Sequence, residues 1–236
     1  WSGMETIIKS SGTESRFKRK KRNGERMVGF YNYTVILTYL GVASAVTGMG
    51  LAMYGRTSMA IVCLMISGFC DLFDGSIAKT RKRTEPEKKF GIQIDSLADM
   101  ICFGLLPAAI GFSIGLTHWY ETVALIAYVL AALIRLAYYN VTEDELQFSE
   151  KTAREYYDGL PVTTVALIIP LIYTLRPVMK SGFLLMYAIC LLLIAVAFLV
   201  KFKVRKLGMK GMIAAALAGA MILAFLIVGW NCVGAV

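Results

Sequence analysis

Apolar residues recur in runs of roughly 18 to 22, at about 33–53, 57–78, 92–115, 119–140, 160–177, 181–200 and 211–230; about 20 such residues are what a helix needs to cross a bilayer. Inside lipid every backbone N–H and C=O must be satisfied within its own segment, so runs of this length fold as helices. The composition agrees, with 57% hydrophobic residues and a mean hydropathy of +0.62, against about 45–50% apolar for a soluble domain. The expected fold class is all-α integral membrane, a polytopic helical bundle. The first run contains Ala43-Ser44-Ala45, which looks like a signal-peptidase site. The apolar stretch continues past it to Met53, so it is expected to stay as an uncleaved span.

The charges orient the bundle. With the N-terminus in the cytosol and the spans alternating, 21 of the 25 Lys and Arg fall in cytosolic segments, while only Arg56, Arg176 and Lys180 fall outside. That asymmetry is the positive-inside pattern and predicts a cytosolic N-terminus. It also explains the net charge of +9, as basic residues meeting anionic lipid. No nucleic-acid partner is expected. Residues 1–30 read as a basic cytosolic segment containing Arg16, Lys18, Arg19, Lys20, Lys21, Arg22 and Arg26. Segments 79–90 and 141–159 read as cytosolic loops, the second as a loop or short surface helix. His118 and Trp119 read as an outer interfacial loop. The five cysteines form no Cys-x-x-Cys pair, which argues against a thiolate metal site or a disulfide framework.

The chemistry lies in four aspartates. Asp71 and Asp74 stand at i and i+3 near the cytosolic end of the second span; Asp95 and Asp99 stand at i and i+4 near the start of the third. Both spacings put the pair on one helix face, and the short connection makes the two helices neighbours. Four carboxylates brought together repel in a low dielectric. Divalent cations relieve the repulsion, and an all-oxygen donor set suits Mg²⁺, Mn²⁺ or Ca²⁺. Two such ions would clamp a diphosphate. Gly75 beside Asp74 leaves room for a phosphate at the backbone. An ion pathway lined by carboxylates is the alternative from a different class, and solvated helix-end acids paired with loop lysines are the plain one. No P-loop pattern is present.

These residues, Asp71, Asp74, Gly75, Ala78 and Lys79, then Gly91, Asp95 and Asp99, resemble the signature of the CDP-alcohol phosphotransferase family, Asp-x-x-Asp-Gly-x-x-Ala-Arg followed by Gly-x-x-x-Asp-x-x-x-Asp. Two positions depart from it. Lys79 stands where the family has arginine, and eleven residues, Thr80 to Phe90, separate it from Gly91 where the family has eight. Lysine keeps the charge but loses the bidentate fork, and Arg81 is the substitute candidate. Within the family, Phe90 to Asp99 with Phe103-Gly104 and Pro107-Ala108, the segment Ile134 to Asn140, and Gly159-Leu160-Pro161 resemble the phosphatidylserine synthase branch. Asn32 and Thr34 resemble an early Asn-x-x-Thr.

The resemblance implies a six-helix core over 31–204, with 205–236 as one extra C-terminal transmembrane helix. It implies CDP-diacylglycerol and L-serine as substrates, CMP as leaving group, and a homodimer in a cytoplasmic-type membrane with the site facing the cytosol. It implies two divalent cations, Mg²⁺ or Mn²⁺, on Asp71, Asp74, Asp95 and Asp99, with Asp99 also the general base. The CDP and phosphate group is expected at Gly75, Ala78, Lys79, Arg81, Gly91, Ser96, Asn32 and Thr34. Arg135, the basic residue well inside a span, and Asn140 are candidates for binding serine; snorkelling of Arg135 and a helix-ending role for Asn140 are the plain readings. Another acceptor, glycerol phosphate or inositol phosphate, or an archaeal lipid donor, is the rival within the family.

Overall fold

In a computed structural model of the chain, residues 35–78, 84–148, 156–201, 203–205 and 209–233 are described, and all fall within one compact unit, Asn32–Val236. Each of the seven apolar runs is helical. Helices α1 (Ile36–Met53) and α2 (Thr57–Ala78) form an antiparallel pair joined by the turn at Tyr54 to Arg56. Helix α3 (Glu85–Asp99) runs through a π-helical segment, Met100–Leu105, into α4 (Leu106–Ile114). Helix α5 spans Trp119–Phe148. The 3₁₀ turn Val162–Thr164 leads into α6 (Val165–Tyr173); α7 (Arg176–Met179) is a single turn; α8 (Phe183–Leu199) and α9 (Met209–Val233) complete the bundle.

Among the described residues, four continuous helices are long and apolar enough to cross a membrane: Ile36–Met53, Thr57–Asp74, Glu85–Ile114 and Trp119–Thr142. Three apolar helices are shorter, Val162–Tyr173, Phe183–Leu199 and Gly211–Leu226. Large apolar side chains cover the outside, including Leu40, Phe69, Leu193 and Leu217, each more than half exposed. A soluble protein rarely leaves so much contiguous apolar surface uncovered; a bilayer covers it. The interior is filled by Ile61, Leu64, Phe103, Leu106, Tyr128, Ile169, Tyr187 and Leu191. The protein is a multi-pass helical membrane protein.

Close approach of α2 and α6 depends on Gly68. A Cβ there would collide with the Cβ of Ala166, so any larger residue pushes the two helices apart. Small residues at such crossings are the usual means of packing helices in lipid.

Three features differ from the sequence reading. Helix α3 begins at Glu85, not near residue 92, because Thr84 caps it: the Thr84 backbone N–H and hydroxyl both donate to Glu87 Oε2, at 2.9 and 3.1 Å. This is a capping signal, followed by Pro86 in the first turn. Helix α5 runs on past Asn140 to Phe148, so Asn140 does not end its helix. Part of the stretch expected as a loop or surface helix is extended instead: Tyr156–Asp158 pairs antiparallel with Lys203–Arg205, Tyr157 opposite Val204. Lys201, just before that second strand, sets its Nζ 4.7 Å from the centre of the Tyr138 ring, a cation–π contact tying the exit of α8 to α5.

Candidate active site

Asp71 and Asp74 occupy the last two turns of α2, and Asp95 and Asp99 one face of α3. Packing of α2 against the π-helical segment, and of α1 against α2 and α3, brings all four to one small cavity, also lined by Thr38, Gly41, Ser67, Cys70 and Cys102. Carboxylate oxygens of Asp71, Asp95 and Asp99 lie within 4.8 Å of one another. Asp74 is buried and accepts a hydrogen bond from Thr38 Oγ1 of α1 at 3.2 Å. The donor set is wholly oxygen, and a cation at the centre would be within reach of three carboxylates, so the residues fit a hard divalent ion.

What holds α3 in place is the segment after Asp99. Pro107 has no N–H, so the carbonyl of Phe103, four residues back, loses its ordinary helical donor. The buried Tyr128 hydroxyl of α5 donates to that carbonyl instead. Four residues on, Tyr187 of α8 donates to the Pro107 carbonyl at 3.0 Å. The intervening N–H of Leu106 bonds to Ile101, five residues back, which is the π geometry that such adjustments produce near functional residues. Two buried tyrosines thus lock the register of the helix that carries Asp95 and Asp99.

The remaining sequence-predicted residues are dispersed. Gly91 lies on the Asp95 and Asp99 face of α3, four residues before Asp95. Gly75 and Ala78 lie in the last turn of α2. Asn32, Thr34, Lys79 and Arg81 lie outside the described residues. Ser96 is beside Asp95 in sequence but turns toward α5: its hydroxyl donates to Asn140 Oδ1 at 2.6 Å, and Asn140 Nδ2 donates to Gln93 Oε1 at 3.4 Å. This polar bridge joins α3 to α5. Arg135 is 7% exposed, so it does not snorkel to the surface. Its Nε donates to the Leu160 carbonyl at 3.3 Å. Gly159, at φ +88°, sits against it, where a Cβ would meet the Val200 carbonyl at 3.0 Å and the Arg135 guanidinium carbon at 3.7 Å. A side chain at Gly159 would be strained in conformation and blocked in space.

Sequence reasoning missed Thr38, Gln93 and the tyrosine pair. Thr38 stands four residues after Thr34, in a run that reads as plain lipid-spanning helix; only its packing against α2 reveals it.

Two short-spaced aspartate pairs thus converge near one end of a multi-pass helical bundle and present an all-oxygen donor set that fits a divalent cation. The model of the CDP-alcohol phosphatidyltransferase family matches residues 31–230, and the chain belongs to that family. A CDP-diacylglycerol–serine O-phosphatidyltransferase of Saccharomyces cerevisiae is 39% identical over 115 residues, covering 48% of this chain and 41% of the relative. One of Mycobacterium tuberculosis is 27% identical over 142 residues, 60% of this chain and 48% of the relative. An archaetidylserine synthase of Methanothermobacter thermautotrophicus is 25% identical over 152 residues, 64% and 61%. The matches thus cover about half the length of these curated relatives.

Proposed function

We propose that the chain transfers the phosphatidyl group of CDP-diacylglycerol to the hydroxyl of L-serine and releases CMP. The observation that carries this reading is the convergence of Asp71, Asp74, Asp95 and Asp99 on one cavity in a chain of this family. Relatives whose names specify serine as acceptor support the choice of acceptor.

Asp71, Asp95 and Asp99, with Asp74, would hold two divalent cations, Mg²⁺ or Mn²⁺. Such ions neutralise diphosphate charge and stabilise the departing phosphate oxygens. Asp99 takes the proton of the serine hydroxyl as its oxygen attacks the lipid-side phosphorus. The new P–O bond to serine forms as the P–O bond to CMP breaks, and CMP leaves with the bonding electrons. Thr38 keeps Asp74 turned into the site. The CDP group is assigned to Gly75, Ala78, Lys79, Arg81, Gly91, Asn32 and Thr34. Ser96 is reassigned to holding Asn140. Arg135 and Asn140 are assigned to the serine side, Arg135 also fixing the Gly159-Leu160 turn. The site and the N-terminus face the cytosol, α9 is an addition to a six-helix core, and the protein works as a homodimer.

The archaetidylserine synthase relative favours one second reading, in which serine is kept and the donor carries an archaeal lipid. The test compares CMP release by purified protein with Mn²⁺ across serine, glycerol 3-phosphate and inositol phosphate, using diacyl and ether-linked CDP-lipids. Serine-dependent release from the diacyl donor is expected. Release only from the ether donor selects the second reading, and release with a phosphorylated acceptor in place of serine overturns both.

A further inference from the structure

The three basic residues that depart from the positive-inside pattern are Arg56, Arg176 and Lys180, and the fold gathers them around one buried side chain. Tyr173, at the end of α6, is 9% exposed. Its hydroxyl accepts a hydrogen bond from Arg176 Nη1 at 2.8 Å. The same hydroxyl lies 3.1 Å from the Oγ of Ser58, which follows Arg56 by two residues at the start of α2. The guanidinium carbon of Arg176 stands 5.4 Å from the centre of the Tyr173 ring. The single turn of α7 then carries the chain to Lys180, whose N–H donates to the Arg176 carbonyl. Ser58 precedes Asp71 by 13 residues on α2, about 20 Å at 1.5 Å per residue. The patch therefore lies at the end of the bundle away from the aspartates, toward the other surface of a hydrocarbon core about 30 Å thick.

We infer that Arg56, Arg176 and Lys180 form a binding site for the headgroup phosphate of an acidic phospholipid in the leaflet opposite the aspartates. Three features select this occupant. The first is uncompensated charge. Among the described residues none of the three cations has a carboxylate partner. Glu121, the acid described at this end, is taken up by His118: it accepts from the His118 N–H at 2.9 Å and lies 3.2 Å from Nδ1. The second is order. Tyr173 holds Arg176 by its hydroxyl and its ring face, so the guanidinium is fixed while its other N–H groups are left to grip two phosphate oxygens side by side. Lys180 is kept at φ +44°, a conformation costly for any side-chain residue; glycine would relieve the strain and forfeit the charge. The third is the apolar surround, which favours a lipid over free phosphate. Val178, between the two cations of α7, is 77% exposed, and Tyr54, two residues before Arg56, is 86% exposed. Apolar and tyrosine side chains interleaved with cations mark the headgroup level of a bilayer, where each Lys or Arg attracts acidic lipid.

The experiment titrates the full chain in neutral detergent with dioleoylphosphatidylglycerol and follows the midpoint of thermal unfolding, with dioleoylphosphatidylcholine and inorganic phosphate as separate arms. No turnover enters the readout, so the result does not depend on the transfer reading. A ligand of the folded state raises the midpoint, and phosphatidylglycerol alone is expected to do so. One cation near acidic lipid contributes about 1 kcal/mol, about fivefold in affinity. The double variant Arg176→Gln, Lys180→Gln should therefore raise the lipid concentration for half the shift on the order of 25-fold. Lys88→Gln, on α3 near the aspartates, should keep the wild-type titration. Lys180→Gly separates strain from charge and stands in if the double variant fails to fold: its midpoint without lipid should equal or exceed that of wild type, while its affinity for phosphatidylglycerol falls about fivefold. A wild-type titration in both the double variant and Lys180→Gly assigns acidic-lipid binding to other basic segments and overturns the site. An equal shift with phosphatidylcholine, or the full shift with inorganic phosphate, overturns the acidic lipid as occupant.

Discussion

The two polar regions of this bundle use their charged groups in opposite ways. Between α2 and α3, carboxylates are packed against carboxylates: Asp71, Asp95 and Asp99 bring oxygens within 4.8 Å of one another, and the hydrogen bond described for Asp74 comes from a neutral hydroxyl, Thr38. Between α5 and the Gly159 turn, Arg135 donates to a backbone carbonyl, and Asn140 bridges to Ser96 and Gln93. The first arrangement is costly without a cation, since like charges in a low dielectric repel. The second satisfies polar groups and fixes backbone. An acidic cluster kept against its own repulsion points to ligand binding; a satisfied network points first to architecture. Arg135 belongs to both descriptions, which makes it the residue on which the contrast is most open to experiment.

The largest expected effect is at the cluster. Asp99→Asn removes the proposed base while keeping shape, and kcat should fall by about 10²–10⁴, the range for general acid–base catalysis. Its thermal stability in chelator should equal or exceed that of wild type, because one repelling charge is gone. Loss of stability instead would mean that the cluster is structural. Next is Thr38→Val, which removes the hydroxyl behind Asp74. The Mn²⁺ concentration for half-maximal activity should rise about 10–100-fold, as for other partners of metal ligands, with serine KM unaffected. Arg135→Lys separates the two readings of that residue. If it holds the serine carboxylate, loss of the planar fork raises serine KM about tenfold with little change in CDP-diacylglycerol KM; a lowered melting temperature with unchanged serine KM would assign it to the turn alone. The smallest effect belongs to Tyr128→Phe, which leaves the Phe103 carbonyl without its hydroxyl donor. It should cost about 1–3 kcal/mol of stability, read as a lower midpoint of thermal unfolding, with a modest drop in kcat.

The same contrast shows what the sequence can reveal. Seven apolar runs became helices because length and hydropathy alone decide whether a segment can lie in lipid. The aspartates converged because i, i+3 and i, i+4 spacing fixes a face and a short connection fixes the neighbour. Helix ends were harder. The residues before Ile92 and after Asn140 are charged and look like loop on hydropathy, yet Thr84 caps α3 and α5 continues to Phe148. Such solvent-side extensions are governed by capping and propensity and not by burial. The Tyr156–Asp158 and Lys203–Arg205 pairing is three residues a side, too short for a period-two pattern to register. The π-helical register was not read from the sequence, and its stabilisation depends on Tyr128, an unexceptional residue in an apolar run until α5 is packed against the π-helical segment. Ser96 shows the reverse: its position beside Asp95 pointed to the site, and its hydroxyl points to Asn140.

The most direct test of the aspartate cluster as the reaction centre is metal add-back. Protein stripped with chelator is given CDP-diacylglycerol and serine, and CMP is followed as Mn²⁺ is restored. The expected result is no CMP before the metal, serine-dependent CMP after it, and none at any Mn²⁺ concentration with Asp99→Asn. Undiminished CMP release without metal, or from Asp99→Asn at the wild-type rate, would contradict the account.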